Sequence, residues 1–227
     1  MRTPTKHTPK SLLIRSVATS TAIETGEKWQ DIEKRLLMKS LADYALEKVK
    51  EFREASGLPC DNGVMANHDL HHKLYTEEFN EYHEATDDSE KADSYADQLV
   101  VAAGYQLDAG NDYFVPFPQW SKSDYWQIVE QIKNLSQLDS IDILEAFNIA
   151  HNSNMTKFTK DHIVITESVD WYNAKGIEVT AKKTNGYWAL FSAKDQSVGE
   201  KHYPKGKLLK PLTFVEPDWS GGSWKLR

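Results

Sequence analysis

The sequence predicts an all-α core, an antiparallel helical bundle of four to five helices, followed by a small C-terminal β-hairpin or irregular appendage. Three observations carry this. Apolar residues recur every three or four positions from Trp29 to Ile149, the period of an amphipathic helix. Turn and cap residues cut that stretch into helix-length pieces. After Lys157 the period becomes two, around Thr184-Asn185-Gly186, and Asn-Gly between alternating runs is a strong hairpin signal. The expected divisions are a flexible tail over 1–26, a helical domain over 27–158 and a β-rich appendage over 159–227.

The first helix is read from Trp29, Ile32, Leu36, Leu37, Leu41, Tyr44, Ala45, Val49 and Phe52, and ends near Gly57-Leu58-Pro59. Gly is favoured just past a helix end, and Pro cannot continue the helix. Asn67 or Asp69 is the expected cap of the second helix, with Leu70, Leu74, Tyr82 and Ala85 as its stripe. Thr86-Asp87-Asp88-Ser89 is a turn, and Ser89 is the expected cap of the third. Ala92, Tyr95, Ala96, Leu99, Val100, Ala103 and Leu107 give the third helix a wide apolar face, so it should be the most buried. Residues 110–122 are an aromatic, Pro-rich loop. Ser123 or Asp124 opens a fourth helix, and a fifth runs from about Ser140.

Composition excludes several classes of function. The 227 residues carry a net charge of −7, which disfavours sequence-independent nucleic-acid binding, since that needs a basic face. One cysteine, Cys60, excludes an internal disulfide framework and a thiolate zinc site. No apolar run is long enough for a transmembrane helix. A cytoplasmic location is expected. Residues 1–23 hold Arg2, Lys6, Lys10 and Arg15 with no acid; a mobile tail is favoured over a transit peptide, which shares this composition. There is no P-loop and no GxGxxG.

The acidic stretch EEFNEYHEATDDSEKADSYAD, residues 77–97, joins the second and third helices through a short turn. A short turn forces an antiparallel αα-hairpin. Counting outward from Asp87 and Asp88, Glu81 and Asp93 lie at one height, and Glu78 and Asp97 at the next. Glu78 with Glu81, three apart, and Asp93 with Asp97, four apart, each share a helix face. Four converged anions repel one another unless a divalent cation sits among them. Oxygen ligands of this kind suit Mg²⁺ or Mn²⁺, and Mg²⁺ characteristically shares its shell with substrate phosphates.

LYTEEFNEYHEA followed by ADSYADQLVVAAGYQLDAG resembles the EExxE…DxxxD…G signature of the all-α NTP pyrophosphohydrolases, which include MazG-like enzymes, dimeric dUTPases and phosphoribosyl-ATP pyrophosphohydrolase-like proteins. FREASGLP at 52–59 is similar to the FHEAFGLP segment of the phage-type branch, and SNMTK at 153–157 to its SNMSK segment. A weaker echo is GKLLKP at 206–211. The resemblance covers about residues 40–158. It implies that Glu77, Glu78, Glu81 and Asp97 are the catalytic acids. Glu78, Glu81, Asp93 and Asp97 would hold the metal, while Asn154 and Lys157 contact the nucleotide. Ser94 stands where many members carry Glu. The implied reaction releases a nucleoside monophosphate and pyrophosphate from an NTP or dNTP, in a homodimer or homotetramer. The phage-type branch implies a role in the deoxynucleotide pool, in the host cytoplasm.

Two other readings compete. NHDLHH at 67–72, with His83, invites an HD-type metal phosphohydrolase. Charge alone permits a non-enzymatic helical protein whose acidic hairpin binds a basic partner.

Overall fold

The computed structural model describes residues 28–58, 68–109 and 125–226, with the side chains of 29–40, 68, 69 and 109 excepted. Expectations for residues 1–26, for Cys60, for a cap at Asn67, Asp69, Ser123 or Asp124, and for the loop 110–122 lie outside the described residues. The helices are α1 (Trp29–Ser56), α2 (His68–Glu84), α3 (Asp88–Ala109), α4 (Tyr125–Leu138), α5 (Ile143–Met155) and α6 (His162–Ala174). The strands are β1 (Val179–Thr184), β2 (Tyr187–Ser192), β3 (Gln196–Val198), β4 (Lys201–Tyr203) and β5 (Leu208–Leu209). A helical core with a small C-terminal antiparallel sheet is therefore the architecture of the described chain.

α3 is the central helix and packs against α1, α2, α4 and α5. Ala92, Tyr95, Ala96, Leu99, Ala102 and Ala103 are buried along it. Four of these are alanines, which let neighbouring helices approach closely while bulky partners such as Ile128, Ile132 and Phe147 fill the gaps. The cap of α3 differs from the expected one. Asp87, not Ser89, accepts from the backbone N–H groups of Ser89 (2.8 Å) and Glu90 (3.0 Å). Glu90, exposed to solvent, reaches back to the Thr86 N–H at 2.6 Å and closes the turn. Likewise α5 is capped by Asp142. Ser140, its expected start, sits in the left-handed region at φ 60° and ends the preceding turn.

α1 stops as predicted. Gly57 has φ 72°, and the Leu58 N–H donates to the Arg53 carbonyl at 3.0 Å. A Cβ on Gly57 would meet Thr184 Oγ1 at 2.7 Å, so glycine is required both by its backbone and by its neighbour. The β1–β2 hairpin turns at Asn185 (φ 50°) and Gly186 (φ 83°), both in the left-handed region, and pairs Thr184 with Tyr187. This matches the sequence expectation of a hairpin with Asn-Gly at its turn. β5 adds to the other edge of β2.

The C-terminal region is less purely β than the sequence suggested, because α6 lies within it. The stretch HIVITES is β-branched and reads as a strand. Asp161 caps it as a helix instead, accepting from the Ile163 N–H at 2.8 Å, and Ile165, Ser168 and Tyr172 are buried at helical spacing. This region also feeds the main core. Trp224 is buried among α1–α5 residues. Its carbonyl accepts from Asp142 N–H at 2.7 Å, and Leu226 N–H donates to Ser140 at 2.8 Å.

Candidate functional site

A buried polar ladder sets the register of α2 against α3. Tyr75 donates to Gln98 (3.1 Å), Gln98 donates to Ser94 (3.2 Å), and Ser94 donates to the Glu78 carbonyl (2.5 Å). Ser94 is thus a strut between the helices. Near the turn, Asp139 at the end of α4 accepts from Tyr95 (2.7 Å), Tyr82 (3.0 Å) and Lys91 (3.0 Å). These donors outweigh the effect of burial and hold its carboxyl below the ordinary value.

This register brings the expected carboxylates together. Burial pushes Glu78 up to about 8, with repulsion from Asp97, then Glu81, Glu77 and Asp93, acting in the same direction. Burial likewise raises Asp97 to about 7, with Asp93 and Glu81 adding to it and Lys157 opposing. Asp93 is raised by burial and, among the acids, most by Glu81. Among the acids, Glu78 is repelled most by Asp97 and Asp93 most by Glu81, the pairs of equal height, whereas Asp97 is repelled most by Asp93 on its own helix. Glu77 and Glu81 stand at the exposed rim, while Glu78, Asp93 and Asp97 are half-buried. Among the described residues, no group of three or more His, Cys, Asp or Glu closes around a point as a metal shell would.

Asn154 and Lys157 lie at the end of α5, beside these acids. Lys157 Nζ donates to Asn154 Oδ1 at 2.5 Å. Burial pulls the Lys157 ammonium below its ordinary value, against the attraction of Asp97 and Asp93. The resemblance assigned both residues to the nucleotide; in the structure Asn154 also positions the lysine.

His71 and His83 do not share one site. His71 is buried with Nε2 2.5 Å from Asp108 Oδ2, and His83 stacks edge-on against Phe79 and Tyr82.

The sequence reading missed a second feature. Arg53 on α1 grips Asp108 on α3 with both guanidinium arms, and its Nη2 also donates to the Gly104 carbonyl at 2.9 Å. The Arg53 and His71 hydrogen bonds outweigh burial and hold the Asp108 carboxyl below its ordinary value. This network walls a cavity of about 290 Å³, otherwise lined by apolar side chains including Phe52, Leu74, Val100 and Val101. Leu74 is four residues before Glu78 and Val101 four after Asp97, so the cavity begins one helical turn from the carboxylates. The available signal was the adjacency of Arg53 to the predicted helix end, but nothing in the sequence links it to Asp108.

No known family model matches this chain, and no curated protein or solved structure matches it. Among the described residues, no helix is long and apolar enough to cross a membrane.

Proposed function

We propose that the protein is a Mg²⁺-dependent nucleoside triphosphate pyrophosphohydrolase, with Mn²⁺ as a substitute, acting on deoxynucleoside triphosphates. In this reading α1–α5 form an antiparallel bundle of the all-α pyrophosphohydrolase type, assembled as a homodimer or homotetramer. The observation that carries it is the cluster of Glu78, Asp93 and Asp97, half-buried, with Glu81 at its exposed edge and Lys157 beside it. Repulsion of this kind is a standing cost, and structures keep it where charge is needed for chemistry.

The chemistry of the donors, all carboxylate oxygens, suits the ion, although among the described residues they do not close around one point. Glu78 Oε2 is buried and accepts no hydrogen bond from any described residue, so a hard cation would satisfy it. Glu78, Glu81, Asp93 and Asp97 would be the ligands. Bound Mg²⁺ supplies positive charge against the acids and the phosphates, and lowers the pKa of coordinated water. The chain's own groups do the rest. Glu77, exposed at the rim, takes the proton from the attacking water. Lys157 neutralises phosphate charge, and Asn154 holds it in place. The nucleoside end enters the cavity beside Leu74 and Val101, whose apolar walls suit a base and whose far wall presents Asp108 and His71 as polar partners.

The test is a screen of all canonical NTPs and dNTPs with Mg²⁺, scoring pyrophosphate and orthophosphate separately. Pyrophosphate release that disappears in Glu78→Gln and Asp97→Asn is expected. A wild type that hydrolyses no nucleotide with either metal overturns the reading, as does release of orthophosphate alone.

A further inference from the structure

We propose that Lys210 is a second cationic arm for the terminal phosphates of the substrate, held ready by Glu216 on a strap laid across the end of α5. The proposal rests on the pyrophosphohydrolase reading of the carboxylate site, and it extends that site to a segment remote in sequence.

The strap is residues 210–216, KPLTFVE. It leaves the appendage core at Leu209, which is buried and paired with Leu190. Its backbone is pinned at four points. Tyr172 OH donates to the Lys210 carbonyl at 2.9 Å, and Leu212 N–H donates to Ser168 Oγ at 3.0 Å. Val215 N–H donates to Thr156 Oγ1 at 3.0 Å, and Ser153 Oγ donates to the Val215 carbonyl at 2.8 Å. The last two partners flank Asn154 and Lys157. The strap is thus tied to the segment that presents Lys157.

Two ammonium groups meet there on one aromatic ring. Lys210 Nζ stands 4.2 Å from the Phe214 ring centroid and Lys157 Nζ 6.0 Å from the same centroid. Lys210 depresses the Lys157 ammonium further, after burial. A protein with seven excess negative charges has no general need to crowd two cations. Stability does not explain it either. Lys210 pairs with Glu216 at 2.7 Å, but their side chains are 50% and 71% exposed, and such a pair contributes little. The crowding is useful if a polyanion lies between the two.

The order of features along α3 says which part of the substrate this is. Gly104 and Val101 line the cavity; Asp97 follows, and Asp93 lies nearest the hairpin turn. Among the acids, Lys210 and Glu216 bear on Asp93, the one nearest the turn, while Lys157 bears on both Asp97 and Asp93. From Val101 to Asp93 the helix rises about 12 Å, room for a nucleotide stretched from base to terminal phosphate. A base in the cavity thus puts the β- and γ-phosphates beside Lys157 and Lys210. On hydrolysis, water adds to the α-phosphorus and gives one proton to a site carboxylate. The bond from that phosphorus to the bridging oxygen breaks, and its electron pair leaves with pyrophosphate. Lys210 meets the charge of that leaving group. In the free protein Glu216 occupies Lys210, and the incoming phosphates replace it.

Lys210→Met, Lys210→Arg and Glu216→Gln discriminate this from a structural role. With the preferred nucleotide and Mg²⁺, Lys210→Met is expected to raise KM about tenfold and to weaken product inhibition by pyrophosphate similarly, as loss of one charge-assisted contact predicts. Lys210→Arg restores most of both. Glu216→Gln moves KM the opposite way, a few-fold downward, because the competing anion is gone. If Lys210→Met keeps wild-type KM and pyrophosphate inhibition, the proposal falls while the enzymatic reading stands. If Lys210→Met and Glu216→Gln weaken binding together, the pair is only a strut and the proposal also falls. Calorimetric titration with inorganic tripolyphosphate and Mg²⁺ separates the two claims. Should the wild type hydrolyse no nucleotide yet bind tripolyphosphate about tenfold tighter than Lys210→Met, the polyanion arm stands and the enzymatic reading falls. No tripolyphosphate binding by the wild type overturns the arm.

Discussion

Replacing Glu78 by Gln should make the metal-free protein more stable, and increasingly so as pH rises. The Glu78 carboxyl, ordinarily near 4.5, is pushed to about 8 by burial first and by the four neighbouring acids after it. Between those values the folded protein keeps a proton that the unfolded chain has released. Stability of the wild type therefore falls as pH climbs from about 4.5 to about 8. At about 1.4 kcal/mol per pH unit the ceiling is roughly 5 kcal/mol. Glu77 and Glu81 are exposed, so water screens the cluster, and about 2 kcal/mol is the working figure. Gln keeps the shape, carries no charge and can donate to Asp97. Urea unfolding in chelator at pH 5 and pH 8.5 measures the difference. The variant should gain about 2 kcal/mol on the wild type between the two. Saturating Mg²⁺, near 100 times its Kd, should then return about 2.7 kcal/mol to the wild type and far less to the variant. A variant less stable than wild type at pH 8.5, or equal pH profiles, would show that Glu78 does not stand among repelling carboxylates.

Other consequences are as direct. Asp108→Asn removes the carboxylate that the buried Arg53 guanidinium grips and should cost about 3–5 kcal/mol in urea unfolding; the same contribution should be lost in wild type as pH falls below the ordinary 3.8 of an aspartate. Trp224→Ala empties a fully buried site in the helical core and should cost about 3–5 kcal/mol, read as a lowered unfolding midpoint. Val101→Trp should fill the cavity and raise KM for nucleotides about tenfold or more while leaving tripolyphosphate binding in place, measured by kinetics and calorimetry side by side.

The hairpin of α2 and α3 was legible because it depends on local rules. A three-to-four-residue spacing and one short turn determine which acids come near one another, and Glu78, Glu81, Asp93 and Asp97 do repel one another, across the hairpin and along α3 alike. The Asn185-Gly186 turn was legible for the same reason, since only certain residues accept a positive φ. What escaped has no local signal. Arg53 and Asp108 are separated by 55 positions, and no period connects them. Lys210 and Glu216 reach the site through a strap whose path depends on Ser153 and Thr156 offering hydroxyls at one helix end. α6 was hidden because β-branched residues favour strands in isolation, and packing of Ile165 and Tyr172 overrode that preference. Asp87 and Asp142 are the caps because each directly precedes the first helical residue, whereas Ser89 is already inside α3 and Ser140 lies two residues before Asp142.

The return of Trp224 to the helical core bears on how the molecule is born. On the ribosome the residues of α1–α5 emerge first, but their core lacks its largest buried side chain until position 224 is synthesised. At about 5–20 residues per second, the interval after Met155 lasts several seconds. For that time Ile141 and Phe147, fully buried in the finished protein, lack one of their walls. Lys210 and Glu216 are made within the same interval. The nascent helices therefore wait, partly open and within reach of chaperones, and core and strap close as one late event.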